Sequence, residues 1–108
     1  MALHLGEFEQ LVLLAVLRLG EEAYGLRIGD EIEAVAEREP SSGALYTTLD
    51  RLEAKGLLHS RLEDSTDGRV GRPRRYYKVA PEGLAALRRS RRALLRMWAG
   101  LNAVIDKR

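Results

Sequence analysis

The chain has 108 residues, a formal net charge of +2 and no cysteine. That length fits one small domain, and the absence of thiols excludes a disulfide framework, a thiolate zinc site and a cysteine nucleophile. The charge is unevenly spread: residues 1–40 hold nine acids and three bases (net −6), and residues 41–108 hold seven acids and fifteen bases (net +8).

A basic half beside an acidic half predicts one face turned toward a polyanion. The opening residues, MALHLGEFEQ, carry no cationic segment ahead of an apolar run. The longest apolar stretch, Leu11 to Leu17, is too short to span a bilayer. The expectation is a soluble, cytoplasmic protein without membrane association.

In chain order, residues 5–19 read as a helix, because Phe8, Leu11, Val12, Ala15 and Val16 recur at three and four and Gly20 ends the run. Tyr24-Gly25 opens a second helix, with Ile28, Ile32, Val35 and Ala36 repeating the pattern through Glu37; Gly29 inside it costs about 1 kcal/mol relative to alanine. The third helix is the best punctuated. Ser41 or Ser42 is placed to N-cap it, Leu45, Leu49 and Leu52 mark a buried face, and Gly56 follows Lys55 where a left-handed residue is wanted. Opposite the leucines lie Gly43, Thr47, Asp50, Arg51 and Ala54, with Tyr46 on the flank.

Leu57–Glu63 reads as a strand with Leu58 and Leu62 on one face, DSTDG as a turn, and Arg74–Val79 as a second strand. Between them, five basic side chains fall in ten positions from Arg69 to Lys78, so the expected hairpin has a basic loop of roughly ten residues. Pro81 starts a final helix expected to run without a stop to about Asp106, ~39 Å at 1.5 Å per residue. On it Leu84, Leu87, Arg91, Leu94, Trp98, Leu101 and Ile105 follow alternating spacings of three and four, a seam with one charged interruption. A monomer would leave part of that seam in water, which predicts a homodimer joined through Leu87, Leu94, Trp98, Leu101 and Ile105.

Catalytic chemistry has no foothold. His4 and His59 stand apart from any nucleophile, and two isolated histidines without cysteine make a poor metal site; neither an enzyme nor a cofactor is expected. Gly68-Arg69-Val70-Gly71 matches the loop that clamps nucleic-acid backbone in KH domains, but there it joins helices, and here both flanks read as strands. A Walker loop would need Gly-Lys followed by Ser or Thr, which is absent.

The order helix, helix, capped helix, strand, basic loop, strand is that of a winged helix-turn-helix, whose third helix enters the major groove while the hairpin lies along neighbouring backbone. The fold class is therefore mainly α (α+β), with a two-stranded wing. Residues 1–80 form the expected DNA-binding domain and 81–108 the dimerisation helix. Ser41, Ser42, Gly43, Tyr46, Thr47 and Arg51 are the candidate groove contacts. Arg69, Arg72, Arg74 and Arg75 are the candidate contacts to phosphate or minor groove, guanidinium being a planar fork that bonds two oxygens at once. The same module bound to RNA or to a protein partner is the alternative.

LGEFEQLVLLAVLRLG, AYGLRI, SSGALYTTLDRLEAKGLL and GRPRRYYKVAPEG, taken in order across residues 5 to 84, resemble the PadR family of bacterial transcriptional regulators. With one helix after the wing, the chain looks like the short subfamily. The resemblance implies a homodimeric repressor at palindromic double-stranded operators. In some members a flat aromatic effector, phenolic or otherwise planar, stacks between tryptophans at the dimer interface, which makes Trp98 a candidate effector-binding residue, simple packing of that interface being its alternative role. Two positions depart from the pattern: Ala80 stands where the family usually has a capping threonine, and Gly29 is unusual within helix 2.

Overall fold

The computed structural model describes residues 4–65 and 68–107; Thr66 and Asp67, in the expected DSTDG turn, lie outside the described residues. The elements are α1 (Glu7–Leu19), a 3₁₀ turn (Gly20–Glu22), α2 (Gly25–Ala36), α3 (Ser42–Ala54), β1 (Leu58–Leu62), β2 (Arg75–Val79), α4 (Pro81–Trp98) and α5 (Asn102–Asp106). This is the expected winged helix-turn-helix, mostly helical with one antiparallel β-pair. Its core is the apolar stripe of each helix: Val12, Leu13 and Val16 of α1, Ile28 and Ile32 of α2, and Leu45, Leu49 and Leu52 of α3, closed by Leu57, Leu58, Tyr77 and Val79.

Each α1–α3 boundary has a local cause. Gly6 N-caps α1, and Glu9 Oε1 reaches back to the Gly6 N–H at 2.9 Å. The other Glu9 oxygen accepts from Lys55 Nζ at 2.8 Å, which ties the start of α1 to the end of α3. Glu37 ends α2 in the left-handed region (φ 54°, ψ 39°). Ser41 Oγ accepts the Ala44 N–H at 3.1 Å and starts α3.

Strand pairing runs from Leu58 opposite Val79 to Leu62 opposite Arg75. Leu58 is buried, but Leu62, on the same face, is half exposed, because β1 runs beyond the core there. On the other edge of β2, Tyr24 pairs with Tyr76 and the Tyr77 N–H bonds the Ala23 carbonyl at 2.8 Å. The segment before α2 thus clamps the hairpin to the helices.

The single helix expected from Pro81 to Asp106 is not formed. α4 ends at Trp98, Ala99 turns extended (φ −53°, ψ 126°), Gly100 adopts φ +80°, and a short α5 restarts at Asn102. A glycine in the left-handed region is a usual helix stop. Leu101 and Ile105 therefore do not continue the α4 face, and α4 is about 27 Å long at 1.5 Å per residue. Its start lacks a side-chain cap at Ala80, but Pro81 occupies the first turn and the Leu84 N–H bonds the Ala80 carbonyl at 3.0 Å.

Candidate nucleic-acid interface

α3 is held by its leucine face and by Thr48, all buried, so its opposite side is set by the 3.6-residue repeat. Gly43, Thr47, Asp50 and Ala54 form the centre of that exposed side. Tyr46 and Arg51 lie on opposite flanks. Tyr46 leans on the start of α2, where a Cβ at Gly25 would come within 2.1 Å of its hydroxyl; only glycine leaves room for the ring. Arg51 sits on the Lys55 side, near enough to Glu9 to lower that carboxyl's pKa. Ser41 spends its hydroxyl oxygen on the helix cap, and Ser42 and Gly43 stand exposed in the first turn. All six α3 candidates are accessible, with Ser41, Tyr46 and Arg51 also holding the fold.

The wing arginines divide more sharply. Glu63 binds the Arg69 guanidinium and, through the same oxygen, the Arg74 N–H at 2.7 Å. The Arg74 guanidinium lies 4.1 Å from the centroid of the Tyr24 ring. Arg75 Nη1 donates to Ser60 Oγ at 3.1 Å, and Ser60 donates to Glu53 of α3 at 2.7 Å. Arg72 is exposed, and among the described residues its guanidinium has no partner.

Sequence reasoning missed the residues that arrange these arginines, namely Glu63, Tyr24 and Ser60. It also passed over Arg61, which lies 4.9 Å from the Tyr76 ring. Period-2 alternation places Arg61 on the face opposite Ser60; the partners of the arginines become visible only once the hairpin register is known.

Between α4 and α1 lies a groove of about 420 Å³ lined by Leu14, Leu17, Leu87, Leu94, Leu95 and Trp98, among others. Trp98 is 44% exposed and Leu94 50%. Leu87 is packed against the core in cis, whereas Leu101 and Ile105 are exposed beyond the Gly100 break. Among the described residues no group of His, Cys, Asp or Glu could hold a metal ion, and no helix is long and apolar enough to cross a membrane.

A capped, groove-sized helix beside a basic hairpin defines a winged-helix regulator of transcription. The model of the transcriptional regulator PadR-like family matches residues 13–89, and the chain belongs to that family, whose members are transcription factors and not enzymes. It is 45% identical over 73 residues, 68% of its length, to the transcriptional regulator Rv3488 of Mycobacterium tuberculosis, of which the match spans 64%. A PadR-like transcriptional regulator from Bacillus cereus superposes with a TM-score of 0.74 at 21% identity, covering 94% of this chain and 93% of that one. A PadR family regulator from Eggerthella lenta gives 0.68 at 28% identity, covering 94% and 88%.

Proposed function

We propose that the chain is a homodimeric, sequence-specific regulator that represses transcription at a palindromic double-stranded operator and is released by a planar aromatic or phenolic effector. Residues 1–80 act as the DNA-binding unit and 81–108 as the dimerisation segment, with Leu87, Leu94 and Trp98 on α4 and Leu101 and Ile105 beyond the break. The observation that carries this is the Arg75–Ser60–Glu53 chain, which fastens the wing to the flank of α3. Helix and wing then meet a duplex as one rigid surface. The small first-turn residues Ser42 and Gly43 let the α3 backbone approach base edges, with Thr47 one turn on, and the arginines supply phosphate contacts.

The apolar α1–α4 groove supports both the dimer and the effector: Leu94, Leu95 and Trp98 line it together and leave apolar surface that a second copy would cover, and an indole face suits a flat ring. A footprint on the DNA upstream of the protein's own gene tests the whole proposal. An inverted repeat should be protected, with log affinity falling linearly in log salt and a slope for several phosphates per dimer. Preference for single-stranded RNA over every duplex would instead favour the RNA-binding alternative.

A further inference from the structure

The four wing arginines are not interchangeable. Three are turned back on the protein: Arg69 onto Glu63 and, at 3.5 Å, onto the Arg72 carbonyl; Arg74 onto the Tyr24 ring; and Arg75 onto Ser60. Glu63 makes this division, since a single carboxylate oxygen takes both the Arg69 side chain and the Arg74 N–H. It thereby fastens the base of the loop between Leu62 and Arg75. Of these four, only the guanidinium of Arg72 has no partner among the described residues.

The surroundings of Arg72 are thin. Val70 before it is 96% exposed, Gly71 has no side chain and sits at φ +117°, and Pro73 after it fixes the backbone. This side of the loop therefore offers a narrow edge with one cation that is unpaired among the described residues. The minor groove is about 6 Å wide in ordinary B-DNA. It is narrower and more negative over A-tracts, where a lone inserted arginine is favoured most.

We infer that Arg72 is the specificity-determining residue of the wing: it enters the minor groove at A·T-rich steps outside the base pairs faced by α3, while Arg69 and Arg74 shape the hairpin. This rests on the duplex-binding reading above. It adds a second readout, of groove width, to that of the recognition helix.

The test is enrichment of bound duplexes from a fully randomised pool by the intact protein and by Arg72→Ala, Arg72→Lys and Arg69→Ala. The wild type should enrich an inverted repeat flanked on each side by A·T runs at fixed spacing. Arg72→Ala should enrich the same repeat with flanks of any composition. Arg69→Ala should keep the flanks, and Arg72→Lys should retain them only weakly, a compact ammonium fitting the narrow groove less well than guanidinium. On the enriched duplex, changing the flanks to G·C should weaken wild-type binding about tenfold and Arg72→Ala binding hardly at all.

Flanks retained by Arg72→Ala, or lost in Arg69→Ala instead, overturn the inference. So does a wild type that enriches the repeat without flanks, although duplex binding itself then stands. A wild type that enriches no duplex overturns both. Arg72 is exposed and its side chain makes no hydrogen bond or ion pair among the described residues, so its variants should melt with the wild type, and a matched melt is the control for folding.

Discussion

Replacing Gly83 with alanine sets two effects against each other. In an isolated helix alanine is favoured over glycine by about 1 kcal/mol, and Gly83 sits in the first turn of α4. A Cβ there would lie 2.4 Å from the Leu57 carbonyl oxygen and 2.8 Å from Val79 Cγ1. The oxygen contact is about 1 Å too short. It is also backbone, pinned by the Ala80 N–H at 3.0 Å, so it cannot swing aside as a flexible side chain would. Relief requires α4 to move off the strand junction, an overpacking cost of about 1–3 kcal/mol together with lost contacts at buried Ala86.

We expect a net loss of about 1 kcal/mol, which for a domain of this size lowers Tm by roughly 4–8 °C. Gly29→Ala is the internal control. Its Cβ would meet only Leu45 Cδ2, at 3.4 Å, a side-chain end that gives way easily, so the helix preference should win by up to about 1 kcal/mol. Melts followed by far-UV circular dichroism at one fixed protein concentration decide the matter. A Gly83→Ala variant as stable as the wild type, or a Gly29→Ala variant that loses as much as Gly83→Ala, refutes the steric argument.

Three further outcomes are expected. Burial pushes the Glu9 carboxyl up, but hydrogen bonds from Lys55 and Gly6, with the charges of Lys55 and Arg51, outweigh it and hold the pKa below the ordinary 4.5. The stabilisation from the Glu9 charge is therefore full above that value and fades as pH falls through the lowered one. Glu9→Gln should cost about 1–3 kcal/mol at pH 7, and urea midpoints should show the gap closing in acid; an unchanged gap contradicts the assignment. Leu94→Asp places a charge on the exposed α4 face and should shift sedimentation toward monomer, which a persisting dimer would exclude. Trp98 fluorescence should respond to planar aromatics and phenolics, and indifference to a broad panel removes the effector role.

The helix-turn-helix was legible because its signals are local. Ser41 announces a cap, Leu45, Leu49 and Leu52 a face, and Gly56 a stop, and each acts within a few residues of itself. The order of elements then named the wing before any strand pairing was known. What stayed hidden depends on contacts between distant residues. Glu63 lies eleven positions from Arg74, so nothing local reveals that its oxygen takes that N–H. Gly83 reads as a mediocre helix residue until the Leu57 carbonyl is seen against it. Gly100 was a local signal overridden by another: the three-and-four spacing from Leu84 to Ile105 continues straight through it, while the backbone does not.

That break changes how the proposed dimer interface and the wing are connected. A 39 Å seam would have made dimerisation a coiled-coil matter, separable from the DNA-binding unit. With α4 ending at Trp98, the first part of its seam, Leu84 and Leu87, lies along α1, and Leu94, Leu95 and Trp98 share a groove with Leu14 and Leu17 of that helix. A second copy covering this groove therefore touches α1 as well as α4. α1 in turn packs against α3, and its Glu9 grips Lys55 at the end of α3. Under the proposed function, a flat ligand wedged beside Trp98 would press on the helix that carries the recognition helix. Spreading the protomers there alters the spacing of two α3 helices that must reach successive turns of one duplex face, about 34 Å apart. In that proposal effector and operator would compete through α1, with no need for a flexible linker to carry the signal.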